Sequence, residues 1–109
     1  MTLDVHDRQT VLAVLSRHLP PGVRVRVFGS RATGQARPFS DLDLMIIAEQ
    51  PLSLDLRAEL SEAFEVSSLP FRVDLVEAMD MPEAIRRRAL AESIPIYPPG
   101  AIENEGSSA

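Results

Sequence analysis

Cysteine is absent from this 109-residue sequence, which excludes disulfides and thiolate metal ligands. Its absence fits a reducing cytoplasm. No stretch comes near the ~20 apolar residues that a membrane-crossing helix needs. The segment from Met1 to Asp7 is polar and acidic and lacks the apolar run of a signal peptide. These absences lead to the expectation of a cytoplasmic protein with no membrane contact. Excess positive charge is also missing. The net charge is −5, so bulk electrostatics would not draw nucleic acid to the chain, and no direct nucleic-acid binding is expected. The histidines, His6 and His18, have no partner at metal-ligand spacing and are expected on the surface.

Hydrophobic residues make up 45% of the chain, a globular composition. The length suggests one domain, residues 1–99, with little room for a second lobe. Residues 100–109 are small, polar and acidic and are expected to be a disordered tail. Between Val5 and Leu19 apolar residues recur at helical spacing, with Asp4 or Asp7 as cap, and Pro20-Pro21-Gly22 stops the helix. Val23 to Phe28 alternates as a strand with Val23, Val25 and Val27 on one face. Arg31 to Ser40 reads as a short helical turn followed by a loop. Asp41 to Ala48 is a second, central strand, and Leu54 to Leu69 a helix with Leu56, Leu60 and Phe64 on one face. Phe71 to Ala78 is a third strand. A last helix begins at Pro82 and runs to about Ile94, with Ile85, Ala89 and Ile94 inward and Arg86, Arg87 and Arg88 partly outward. Ile96-Tyr97 is expected as a short edge strand. This order predicts an α+β, or α/β, sandwich: helices against a small sheet.

Asp41 and Asp43 stand two apart at the start of a strand, so their side chains leave the same face. Neighbouring carboxylates repel and raise at least one pKa. The arrangement gains the fold nothing unless a cation fills the gap. Asp74 lies mid-strand, where an unpaired charge is costly. If the third strand pairs with the second, Asp74 joins the other two. Three carboxylates with no histidine or thiolate make a hard, all-oxygen site suited to Mg²⁺, or to Mn²⁺ in its place. Two such ions ~4 Å apart can clamp the attacking and leaving oxygens of a phosphoryl transfer. Gly29 lets backbone approach a ligand closely. Ser30 would open a short helix whose N–H groups face an anion, and its hydroxyl can donate to a phosphate. Arg31 could add positive charge, and Ser40 could fix the turn before Asp41. Taken singly, each piece has an ordinary explanation as a turn or a cap. In combination they point to a site.

The run Val27-Phe28-Gly29-Ser30-Arg31-Ala32-Thr33-Gly34, followed by Ser40-Asp41-Leu42-Asp43-Leu44, resembles the minimal nucleotidyltransferases of the DNA polymerase beta superfamily. Their signature is Gly-Ser, ten residues, then Asp-x-Asp; here residues 31–40 fill the gap, and Asp74 occupies the place of the third aspartate. The resemblance covers roughly residues 5 to 95. It implies a small mixed sheet backed by helices, ATP or another nucleoside triphosphate as donor, and two Mg²⁺. It also implies that Asp41 and Asp43 bind both ions, while Asp74 binds one and helps activate the acceptor hydroxyl. Attack on the α-phosphorus would transfer a nucleoside monophosphate and release pyrophosphate. Gly29, Ser30, Arg31 and Ser40 would serve the donor.

With no acceptor lobe in the chain, the acceptor should arrive on another molecule. Minimal members of this kind are commonly antitoxins that transfer AMP to a tyrosine of a HEPN-type ribonuclease toxin. That is the expected function, with assembly as a hetero-oligomer with the toxin or a homo-oligomer. The alternatives are an antitoxin that only covers its toxin, and transfer to a small molecule such as an aminoglycoside.

Overall fold

The computed structural model describes residues 3–100; of the expected tail, residues 101–109 lie outside them. Helix α1 spans Val5–His18, strand β1 Arg24–Phe28, helix α2 Ser30–Thr33 and strand β2 Leu42–Ile47. Helix α3 follows at Leu54–Glu65, strand β3 at Val73–Glu77, helix α4 at Glu83–Glu92 and strand β4 at Ile94–Tyr97. The strands form one sheet in the order β3-β2-β1-β4. β1 runs antiparallel to both of its neighbours, whereas β2 and β3 are parallel, so the sheet is mixed. Among the described residues no helix is long and apolar enough to cross a membrane.

Alternation along the strands builds the core. Val25, Val27, Leu42, Leu44 and Ile46 are all buried, and Val11 and Leu15 of α1 and Leu60 and Phe64 of α3 belong to the same buried cluster. Asp4 caps α1, its carboxylate accepting from the Asp7 amide at 2.8 Å. Ser53 caps α3 in the same way. A parallel pair needs a long crossover, and the segment containing α3 supplies it. A buried carboxylate then fixes the start of that crossover. Glu77 accepts from the Leu52 amide at 2.8 Å and from Arg57 at 3.1 Å.

Three expectations need adjustment. α3 ends at Glu65, short of Leu69, because Ser67 turns back: its hydroxyl donates to the Phe64 carbonyl at 2.6 Å. α4 ends at Glu92, so Ile94 begins β4 and does not belong to the helix. Ile85 does not point inward but is 57% exposed, and α4 buries none of its residues. The strand face opposite the core carries Arg24 and Arg26 on β1 beside the fully buried Met45 of β2. Polar contact also holds the end of α4, with Arg26 Nε donating to the hydroxyl of its C-cap Ser93 at 2.6 Å. Strand β4 lies at the sheet edge as expected and begins two residues earlier than Ile96. Pro95 is tolerated there because an edge strand leaves one row of backbone groups unpaired.

Candidate active site

Two elements of secondary structure meet at Gly29. β1 ends at Phe28 and α2 begins at Ser30, so the chain reverses within one residue. Gly29 does this at φ 72° and ψ −154°, a region open almost only to glycine. A β-carbon at Gly29 would collide with Oδ2 of Asp43 and stand 3.3 Å from that side chain's carboxyl carbon. The turn and the carboxylate therefore touch, although they are far apart in sequence.

Sheet register brings the acids together. Phe28 is the antiparallel neighbour of Asp43, and Asp43 is the parallel neighbour of Asp74. Pairing begins with the Leu42 amide, which donates to the Arg72 carbonyl at 2.8 Å. Asp41 precedes β2 and is exposed. Its backbone is set from the loop. There the Arg37 amide donates to the Ser40 hydroxyl at 2.9 Å, and the Ser40 amide returns to the Arg37 carbonyl at 3.0 Å. Ser40 thus closes the turn that delivers Asp41. Within this loop Phe39 is the one described non-glycine residue with positive φ, at 68°.

The electrostatics follow from the crowding. Partial burial first, then Asp74, then Asp41 push the Asp43 carboxyl above its ordinary range. The positive group nearest in sequence to Asp74 is Arg72, 3.4 Å away, and the Arg72 side chain is 80% exposed, so this pair offsets little. Among the described residues no three His, Cys, Asp or Glu side chains are grouped closely enough to hold a metal ion by themselves. Asp43 and Asp74 stand in register on neighbouring strands, and Asp41 lies one residue before β2. That arrangement fits Mg²⁺, which keeps waters and shares its remaining positions with substrate phosphates. The donor set is all oxygen, as a hard cation requires.

Arg31 has contacts other than the phosphate that the sequence suggested. It is buried at 6% exposure. Its Nε and Nη2 donate to the Ser40 carbonyl at 3.0 and 2.7 Å, and its guanidinium lies 4.1 Å from the centre of the Phe71 ring. Sequence spacing gave no sign of the Phe71 contact. A hollow of about 400 Å³ lies at the other end of the sheet beside Pro20, Pro51 and Leu52 and contains none of the site residues.

A profile described as "Polymerase beta, Nucleotidyltransferase" matches residues 11–99. The chain belongs to the polymerase beta nucleotidyltransferase family. Within that family it is similar to a Haemophilus influenzae protein named "Probable protein adenylyltransferase MntA", with 41% identity over 90 residues, covering 78% of this chain and 79% of the relative. Among solved structures, it matches one described as a toxin–antitoxin with AMP-PNP at TM-score 0.69 and 22% identity, over 84% of this chain and 73% of that one. It also matches a structure described as a tri-AMPylated Shewanella oneidensis HEPN toxin in complex with MNT antitoxin, at TM-score 0.60 and 20% identity, over 83% of this chain and 68% of that one. At these identities the structural matches speak for the nucleotidyltransferase fold, which the mixed sheet and its helices form here.

Proposed function

We propose that this nucleotidyltransferase is an antitoxin that transfers AMP from ATP to a hydroxyl, expected to be a tyrosine, of a partner HEPN ribonuclease toxin. The observation that carries the reading is the contact of the Gly29 turn with Asp43, which stands in register beside Asp74. The turn read here as the donor's and two of the acids thus share one end of the sheet. The names of the Haemophilus and Shewanella proteins support the choice of AMP and of a protein acceptor.

In this reading Gly29 leaves room for the triphosphate, and the Ser30 hydroxyl donates to a phosphate oxygen. Asp41, Asp43 and Asp74 hold Mg²⁺, whose role when bound is to neutralise charge on the phosphates. Ser40 keeps Asp41 at its post. Asp74 accepts the proton of the acceptor hydroxyl as that oxygen bonds to the α-phosphorus. The bond from the α-phosphorus to its bridging oxygen breaks, and pyrophosphate leaves. Orientation and charge neutralisation carry most of the acceleration.

The test combines purified protein, partner toxin, ATP and Mg²⁺ and follows the toxin by mass spectrometry. The expected result is an increment of one or more AMP on the toxin, lost with Asp41→Ala plus Asp43→Ala. An unmodified toxin, or full neutralisation by the double variant, would mean that the protein acts by covering its partner.

A further inference from the structure

Asp43 and Asp74 are fixed by the β2–β3 ladder, but Asp41 lies one residue outside it. The sheet holds it only on its C-terminal side, where the Leu42 amide donates to the Arg72 carbonyl. The peptide that joins Ser40 to Asp41 is held by Arg31, which grips the Ser40 carbonyl with two N–H groups. A planar peptide held at its oxygen limits the directions in which the next residue can leave. Arg31 is itself immobile, because it is buried and its guanidinium rests on Phe71. Phe71 lies three residues before Asp74, on the segment whose Arg72 carbonyl receives the Leu42 amide. One side chain, rooted in the helix that opens at Ser30, therefore reaches the peptide before Asp41 and the lead-in to Asp74.

We infer that Arg31 is a positioning residue: through the Ser40 carbonyl and the Phe71 ring it aims the Asp41 carboxylate and so sets the divalent-cation affinity of the site. This rests on the metal-dependent reading above. Residues that orient a metal ligand change affinity by about 10–100-fold when altered. Lysine cannot reproduce the planar grip and the ring contact together, so Arg31→Lys should loosen Asp41 while leaving a cation in place.

The experiment measures Mn²⁺ binding to the full chain without nucleotide, by loss of the free-ion electron paramagnetic resonance signal. The wild type, Arg31→Lys, Asp41→Ala and the double variant are compared, with thermal melts as the check on folding. Arg31→Lys is expected to weaken Mn²⁺ binding about tenfold in the wild-type background and to have no further effect once Asp41 is alanine. In the transfer assay at saturating Mg²⁺ it should leave the KM for ATP unchanged. Equal Mn²⁺ binding by wild type and Arg31→Lys overturns the inference. So does an equal loss in both backgrounds, which would mean a general structural role, or a raised KM for ATP with Mn²⁺ affinity intact, which would make Arg31 a phosphate ligand. If Arg31→Lys fails to fold, Phe71→Leu replaces it, and a loss of Mn²⁺ affinity that depends on Asp41 is again required. Absence of Mn²⁺ binding by the wild type refutes the metal reading itself and is distinguishable from every outcome above.

Discussion

Replacement of Gly29 by alanine tests the geometry of the site most directly. Alanine at φ 72° and ψ −154° would be strained by about 1–3 kcal/mol. The new methyl would also occupy the place of the Asp43 carboxylate oxygen. That side chain can rotate away, so the collision should appear as misplacement of Asp43 more than as additional instability. Strain of about 2 kcal/mol, at ~4 °C per kcal/mol in a domain of this size, lowers the melting temperature by ~8 °C. A displacement of about 1 Å in a reacting group costs on the order of 10²-fold in rate, so AMP transfer should fall at least that far. Gly34→Ala is the matched control. Gly34 is also left-handed, at φ 80°, but a β-carbon there would meet nothing within 4 Å. It should lose about 1–2 kcal/mol of stability and keep its activity. Melts by differential scanning fluorimetry and transfer rates below both melting temperatures give the comparison. If the two variants lose the same activity, or Gly29→Ala stays within a few-fold of wild type, the contact between turn and carboxylate is not what the site depends on.

Two further outcomes follow from buried charge. Asp43→Asn should raise the melting temperature in metal-free buffer at neutral pH. Burial, Asp74 and Asp41 hold the Asp43 carboxyl above its ordinary range, so the folded chain binds that proton more tightly than the unfolded chain does. Stability therefore declines as pH rises from the ordinary carboxylate range through the elevated folded value, and the full penalty applies above it. The advantage of asparagine should shrink as pH falls through that window and vanish below it. A pH series of melts showing a constant advantage would speak against charge crowding. Glu77→Ala should cost about 2–4 kcal/mol, because it strips the acceptor from the Leu52 amide and the Arg57 guanidinium. Urea unfolding should show that loss with Mn²⁺ affinity unchanged, since Glu77 lies on the strand face opposite Asp74.

Much of this could be read from residue order because the elements are local. Two-residue alternation in Val23 to Val27 and the proline stops at Pro20 and Pro51 delimit β1, α1 and β2 without tertiary help. A glycine next to a strand end and an acid pair at fixed spacing are both chemical signals, but the contact of Gly29 with Asp43 was not among the expectations. Other features depended on three-dimensional partners. Ile85 carries an apolar pattern, but its helix faces a strand surface bearing arginines. Arg31 carries a charge that suggests solvent or phosphate, yet Phe71 and a backbone carbonyl remove it from both. Glu77 sits in an apolar strand for the sake of an amide twenty-five residues earlier.

The parallel register of β2 and β3 divides the chain into lengths that can drift and one that cannot. Asp43 and Asp74 meet because a count of residues within β3 comes out even with the face that looks away from the core. A residue gained or lost between Ser67 and Pro70 changes only the slack of a connecting turn, which loops absorb readily. The same change between Val73 and Asp74 would turn the aspartate toward Leu60 and Phe64 and bring an apolar neighbour out beside Asp43. Homologues should therefore differ freely in the length of the crossover, and their evolution should be silent about insertions inside those strand positions.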